Sequence, residues 1–298
     1  MTGDPASALA AAHPALEPRY FVRMASALGD KARILPHVRP GHVVDAGAGG
    51  GELAGMLAQL PDVTVTALDL AEESLARLRA SAGVAGFEGS SKGSPTGGAR
   101  FAVRRRELGA DTDPLTSKPA STIVFSAVLH EVFSYARDPW AALERALVQA
   151  RATLAPGGVV IVRDGVMPER PGEPAELLGR DHELLERYLA LSPFAETRLE
   201  PVRPGVWAGT RHAVSEALCT LTWGADSLPR EALERFQLAT LDGYAELLER
   251  AGLHVVHREA TTQPGYREHL RAAGWRASGP DGDWFPPTTG LWVAEVAA

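Results

Sequence analysis

The stretch Val43-Val44-Asp45-Ala46-Gly47-Ala48-Gly49-Gly50-Gly51 sets the terms for the whole 298-residue chain. Two β-branched residues read as the end of a buried strand. An acid follows, then four glycines within five positions. Glycine lets a backbone turn sharply and approach a ligand with no Cβ in the way. Residues 52–60 are good helix sequence, with Leu53, Met56, Leu57 and Leu60 as its apolar positions. Strand, glycine turn and helix in this order build a nucleotide-type site at the carboxyl end of the first strand of an open α/β sheet.

On the amino-terminal side, residues 19–38 carry apolar Phe21, Met24, Leu28, Ile34 and Leu35 at roughly helical spacing, with Gly29-Asp30 expected to split them into two short helices. Pro40-Gly41 then punctuates before the first strand. Downstream, a second strand is expected over 63–68, ending in Asp69, and helix resumes over 72–80. Residues 81–100 are rich in Gly and Ser and read as a surface loop. A third strand over 101–105 and a fourth over 121–128 precede an amphipathic helix over 138–153, with Asp138 as N-cap and Pro139 at its first position. The turn Leu154-Ala155-Pro156-Gly157-Gly158 leads to a fifth strand over 159–163, ending at Asp164.

Strands alternating with helices predict an α/β fold with a doubly wound, mostly parallel seven-stranded sheet. After Asp164 the rhythm changes. Helical stretches are expected over 175–191, 211–221 and 230–237, with no clear strand between 167 and 240. Strands return at 253–257, after a helix over 244–251, and at 291–296. The expected organisation is therefore a leader and helical cover over 1–40 and an α/β core over 41–165. A helical lid inserted between strands five and six follows over 166–240, and residues 241–298 complete the sheet.

Two glycine fingerprints compete for the loop. The dinucleotide pattern G-x-G-x-x-G/A fails from Gly47, where Glu52 takes the last position, and passes formally from Gly49, with Ala54 allowed there. Asp45 separates the two. An anion inside the turn suits a ligand with a cationic amino group and sulfonium, and suits a pyrophosphate poorly. The pattern hhDxGxGxG resembles motif I of the class I S-adenosylmethionine (SAM) dependent methyltransferases. The LAPGG turn before the fifth strand and the segment STIVFSAVLHEV on the fourth strengthen the resemblance. It covers residues 41–165 through these motifs and 241–298 by strand order.

That resemblance implies a Rossmann-like methyltransferase fold and SAM as cofactor. The candidate cofactor-binding set is Asp45, Gly47, Ala48, Gly49, Gly51, Asp69, Leu70, Glu107, Ser126 and Tyr20. Asp69 is suited to accept hydrogen bonds from both ribose hydroxyls, a role shared with dinucleotide folds. The adenine-contacting acid falls among Glu107, Asp111 and Asp113. Tyr20 and Phe21 either cover the cofactor or pack in the core.

Composition bounds the remaining choices. A hydrophobic fraction of 45% and a charged fraction of 22% are ordinary for a soluble globular protein. No apolar run approaches the ~18 residues a membrane helix needs. The segment MTGDPASALAAAHPALEP lacks the basic start and apolar core of a secretory signal and reads as a disordered leader. Cys219 is the single cysteine, in keeping with a reducing, cytoplasmic setting. A net charge of −7, with Arg104-Arg105-Arg106 the only tight basic cluster, weighs against an extended nucleic-acid surface. The nine histidines show no metal-ligand spacing, so no metal is expected.

His130-Glu131, at the expected mouth of the fourth strand, is the candidate catalytic pair. A histidine there can take a proton from an attacking hydroxyl or amine, or can pack beside the cofactor and orient the loop. Tyr135, Arg163 and Asp164 face the same crevice by position. In the expected lid, Glu216, Trp223, Arg230 and Glu231 suit a small polar substrate, or form a solvated helix face. Tyr266, His269 and Trp275 have similar standing.

The expected function is methyl transfer from SAM to an O, N or C nucleophile of a small molecule. Alternatives are an RNA-directed methyltransferase, a non-catalytic SAM-binding regulatory protein, and NAD-dependent oxidoreduction. DNA methylation is disfavoured. Ser126-Ala127-Val128-Leu129 stands where amino-methylating DNA enzymes carry [N/D/S]-P-P-[Y/F/W], and Cys219 lacks the preceding proline of a cytosine-C5 nucleophile. Acceptor identity and oligomeric state have no motif.

Overall fold

The computed structural model describes residues 28–83 and 101–296. Tyr20, Phe21, the leader and most of the Gly/Ser-rich segment lie outside them. The strands are β1 (Gly41–Ala46), β2 (Val63–Asp69), β3 (Phe101–Arg105), β4 (Ala120–Ser126), β5 (Leu154–Asp164), β6 (Pro174–Leu178), β7 (Glu200–Arg203), β8 (Val206–Thr210), β9 (Leu253–Thr261), β10 (Arg276–Gly279), β11 (Gly282–Trp284) and β12 (Thr289–Val296). Contacts divide the chain into two compact units. One runs through Arg163 and adds Leu247–His257 and the residues from Leu291. The other holds Asp164–Glu246 and Arg258–Gly290.

The first unit is built on the seven-stranded sheet, in the order β3-β2-β1-β4-β5-β12-β9. The pairs β1–β2, β1–β4, β2–β3 and β4–β5 are all parallel. Parallel strands covered on both faces read as continuous apolar runs, and β1 is buried at every residue after Gly41. Val43, Val65, Val124, Ile161 and Val293 join Leu53, Leu57, Leu75 and Leu78 from the flanking helices in one apolar core. Each such side chain contributes roughly 1.5–3 kcal/mol over an exposed one. Strand order reverses between β1 and β4, and in open α/β sheets the ligand crevice opens at that reversal, beyond the carboxyl ends.

The second unit corrects the expected helical insertion. It contains the helices His182–Leu191, Arg211–Leu221 and Leu228–Glu231, but also an antiparallel five-stranded sheet in the order β11-β10-β6-β8-β7. Residues 175–178, expected as the start of a helix, form β6, paired antiparallel to β8 and β10. Ala175, Glu176 and Leu177 favour helix intrinsically, and tertiary pairing overrides that preference. The segment 258–290 also leaves the expected sheet-completing piece. It supplies the helix Tyr266–Ala272 and the β10–β11 hairpin to this second unit. Leu177, Leu185, Tyr188, Trp207, Leu218, Leu270 and Trp275 make its own apolar core.

Three smaller differences matter for the site. Gly29-Asp30 does not break a helix; both lie within Leu28–Lys31, which runs on into a 3-10 turn over Ala32–His37. β4 ends at Ser126 rather than Val128, because Ala127 turns to φ +56°. The helix after β2 runs past the expected 80 through Gly83, the last described residue before the break. Among the described residues no helix is long and apolar enough to cross a membrane.

Candidate active site

The loop is assembled by strand register. Asp45 lies opposite Ala67 of β2 and Val124 of β4, so Gly47, Asp69 and Ser126 come at the carboxyl ends of three adjacent strands. The amides of Gly47 and Ala48 both donate to Leu68 O, at 2.9 Å each, which folds the loop toward β2. Gly47 has φ +76°, and a Cβ built there would lie 2.3 Å from Val128 Cγ2. Only glycine combines that dihedral with that clearance.

Asp45 is 1% exposed, and its Oδ2 has no hydrogen-bond partner. Burial pushes its carboxyl up to about 7; Lys31 opposes this, and Asp69 and Glu52 add to it. Satisfied buried carboxylates are the rule, so an orphaned oxygen at the root of the glycine loop marks a place for a ligand's donor. Ser126 Oγ is a second buried polar atom there without a hydrogen-bond partner.

Asp69 has a larger part in holding the loop than its expected ribose role implies. Its Oδ2 accepts from Gly49 N at 2.8 Å, and its Oδ1 accepts from Leu70 N at 2.8 Å and Ala71 N at 3.0 Å. Burial raises its carboxyl, and these amides pull it back. A carboxylate offers about four lone-pair sites, and the three amides take three of them, so at most one, on Oδ2, remains for a ribose hydroxyl. Leu70 and Glu107 follow β2 and β3 and are both half-buried. Asp111 is committed elsewhere: Arg106 reaches its Oδ1 at 2.7 Å and Gln149 Nε2 at 2.9 Å, holding its carboxyl below the usual range. The same Gln149 accepts from Gly109 N at 2.8 Å, tying the turn after β3 to the helix Pro139–Thr153.

At the end of β4, Ala127 N donates to Arg163 O at 2.7 Å. This turn delivers His130, buried, and Glu131, half-buried, in the first turn of the helix Leu129–Tyr135. The His130 carbonyl accepts from Ser134 Oγ at 2.7 Å.

Sequence reasoning gave no site role to Asp30, Lys31 or Glu52. Arg163 meets Asp30 Oδ2 through Nε at 2.6 Å and Nη2 at 2.5 Å, and Arg33 meets Asp30 Oδ1 at 2.9 Å. Arg163 is thus a buried structural partner rather than a crevice-lining group. Lys31, next in sequence to Asp30, is 7% exposed, and burial lowers its ammonium's affinity for its proton. Glu52 Oε2 is buried without a hydrogen-bond partner. A polar D-K within an apolar segment, and an acid directly after the glycines, were the available signals.

Several expected substrate residues of the second unit are structural. Glu216 is buried and accepts from the amides of Phe236 at 2.5 Å and Gln237 at 3.0 Å. Tyr266 donates its hydroxyl proton to Leu218 O at 3.0 Å, and Trp275 lies in the apolar core. Arg230 pairs with Glu231 at 3.0 Å and Glu234 at 3.4 Å, His269 is exposed, and Trp223 is half-buried.

A family model described as "Methyltransferase domain" matches residues 20–258. No curated protein matches. Among solved structures, the pyocyanin biosynthetic protein PhzM aligns with a TM-score of 0.51 at 17% identity, over 94% of this chain and 58% of that one. The glycopeptide N-methyltransferase MtfA aligns with a TM-score of 0.50 at 14% identity, over 95% of this chain and 100% of that one. At these identities the likeness is one of fold.

Proposed function

The chain belongs to the methyltransferase domain family, and on that premise we propose that it transfers the methyl group of SAM, held at the glycine loop, to an O, N or C nucleophile of a small molecule. The observation that carries this reading is the orphaned, buried Oδ2 of Asp45 beside a loop whose backbone a Cβ would obstruct. The residues present fit SAM. Asp45 offers an acceptor to a cationic group, Asp69 retains at most one lone pair for a ribose hydroxyl, and Glu107, half-buried after β3, is the acid assigned to the adenine.

Bound SAM supplies an electrophilic methyl on a sulfonium. The protein's work is then to hold a nucleophile in line with it and to exclude water, which accounts for most of the help such a displacement needs. His130 and Glu131 are assigned to the acceptor side. His130 takes the proton that an attacking hydroxyl or amine gives up as its new bond to carbon forms, or orients that nucleophile. PhzM and MtfA are described as a pyocyanin biosynthetic protein and a glycopeptide N-methyltransferase. Those descriptions support a metabolite-like acceptor.

A turnover screen against metabolite pools, with an RNA pool in parallel, tests the reading by product mass. A methyl gain on a small molecule is expected. A gain on RNA alone would reassign the acceptor class, and binding of SAM without turnover on any pool would favour the regulatory alternative. His130→Ala is expected to lower turnover on the identified acceptor by about 100-fold or more, while SAM affinity stays nearly intact. A large loss of SAM affinity would move His130 to the cofactor side.

A further inference from the structure

The second unit accounts for the whole net charge of the chain. Its two segments, Asp164–Glu246 and Arg258–Gly290, contain nineteen acidic and twelve basic residues, a difference equal to the chain's −7. Such a field concentrates cations near the unit and disfavours anions. Within it the helix Arg211–Leu221 is buried along nearly its whole length. Ala213, Val214, Ala217, Leu218 and Leu221 join the apolar core. His212, Ser215 and Glu216, at i, i+3 and i+4, share a different, polar face.

Residues 236–237 are bonded to that polar face. Glu216 accepts from the amides of Phe236 and Gln237, and Gln237 Nε2 donates to Ser215 Oγ at 2.7 Å. The same segment is tied to the chain leaving β5. Ala239 O accepts from Met167 N at 2.8 Å, and a Cβ on Gly165 would lie 2.1 Å from Phe236 O. Two atoms are left over. Gln237 Oε1, on a residue with no exposure, and His212 Nε2, on one 7% exposed, are buried without a hydrogen-bond partner. An amide oxygen can only accept. Burial, and then the Arg235 guanidinium, push the His212 ring down to about 4, so it is uncharged at neutral pH. Its Nε2 stands 3.8 Å from Glu216 Oε2, too far for a hydrogen bond. A protonated Nε2 would be drawn onto that carboxylate, whereas two facing lone pairs hold such a gap.

This face therefore presents two unmet acceptors beside a carboxylate. Buried polar atoms are normally satisfied, so a group that meets both must bring two protons. A hydroxyl brings one. A primary amine brings two, and its ammonium three, together with a charge of the sign opposite to Glu216. Resting on the reading of the chain as a small-molecule methyltransferase, we propose that the acceptor bears an amine, which the second unit recognises through Gln237 Oε1 and His212 Nε2 beside the Glu216 carboxylate. The amine is a recognition handle, since an ammonium has no lone pair with which to attack a methyl group. Ser215 is a positioning residue: it engages the Gln237 amide by its nitrogen and leaves the oxygen for the ligand.

Matched fragments test the site by calorimetry on the full chain. The probes are phenethylamine against phenethyl alcohol, and cyclohexylmethylamine against cyclohexylmethanol. Wild-type protein is expected to bind each amine about tenfold or more tightly than its alcohol. Gln237→Leu should weaken the amines about tenfold and leave the alcohols within about twofold of wild type, and His212→Phe should act in the same direction. Equal affinities for amine and alcohol would overturn the site, as would amine affinity unchanged in Gln237→Leu. Amines that do not bind at all would also overturn it and leave the two atoms to an internal water only. The wild-type comparison needs no variant, and it decides even where Gln237→Leu does not fold. S-adenosylhomocysteine, titrated alongside, separates the two readings. Its binding with the amines silent sinks the amine site alone, whereas amines discriminated from alcohols without it sink the donor reading and leave the amine site in place.

Discussion

At the residue scale, Asp45 joins fold and chemistry most directly. Its carboxyl is pushed up to about 7 by burial, against an ordinary value of 3.8. A carboxyl raised by folding holds its proton more tightly in the native state. Its contribution to stability is therefore fully present below the unfolded value and is lost as pH rises through about 7. A cationic ligand prefers the ionised form, so binding should expel a proton. Affinity for S-adenosylhomocysteine should accordingly rise as pH climbs toward 7 and flatten above it, and Asp45→Asn should weaken binding and level the slope. Calorimetry in two buffers of different ionisation enthalpy reads the proton directly. Proton uptake, or a slope unchanged in Asp45→Asn, would remove Asp45 from the ligand's cationic end. The structure also shows why Gly47 and Asp69 are poor places to test the site. A side chain at Gly47 collides with Val128, and Asp69 holds the amides of Gly49, Leu70 and Ala71. Substitution at either disturbs the loop before it reveals anything about a ligand.

At the scale of elements, the helical residues Leu28–Lys31 are tied to the end of β5 by a buried ion pair. Asp30 and Arg163 have side-chain exposures of 3% and 5%, and removing one partner strands the other's charge. Asp30→Ala should destabilise the protein by roughly 3–5 kcal/mol in urea unfolding. Pairing it with Arg163→Met should recover much of that loss, since an uncharged pair leaves nothing stranded. A loss below about 1 kcal/mol in the single variant would mean that the pair is solvated and does not fix the helix. Helix in this region was legible from its apolar spacing, but its passage through Gly29-Asp30 was not, because those are ordinary helix-breaking residues. The partner that holds Asp30 in helix lies far along the chain, at the end of β5. β1, β2 and β3 were legible for the opposite reason: their apolar runs and bounding Gly, Pro and Asp are local signals. The insertion fell between. The Pro204-Gly205 turn between β7 and β8, with Gly205 at φ +76°, was a readable hairpin mark. β6, made of helix-favouring residues, is a strand only through its partners β8 and β10.

For the whole molecule, two units with separate apolar cores are threaded by one chain that leaves the first after Arg163, returns at Leu247–His257 and again from Leu291. The proposed donor site lies in the first unit and follows from its topology. The order β3-β2-β1-β4-β5 places the glycine loop, Asp69 and Ser126 at the ends of adjacent strands. That placement at the strand ends was legible in Asp45, the glycines, Asp69 and the LAPGG turn; their ligand roles are proposals. The most direct test of the donor assignment is a calorimetric titration of the wild-type protein with S-adenosylhomocysteine and, separately, with NAD. Saturable binding of S-adenosylhomocysteine with NAD silent is the predicted result; binding of NAD alone would contradict it.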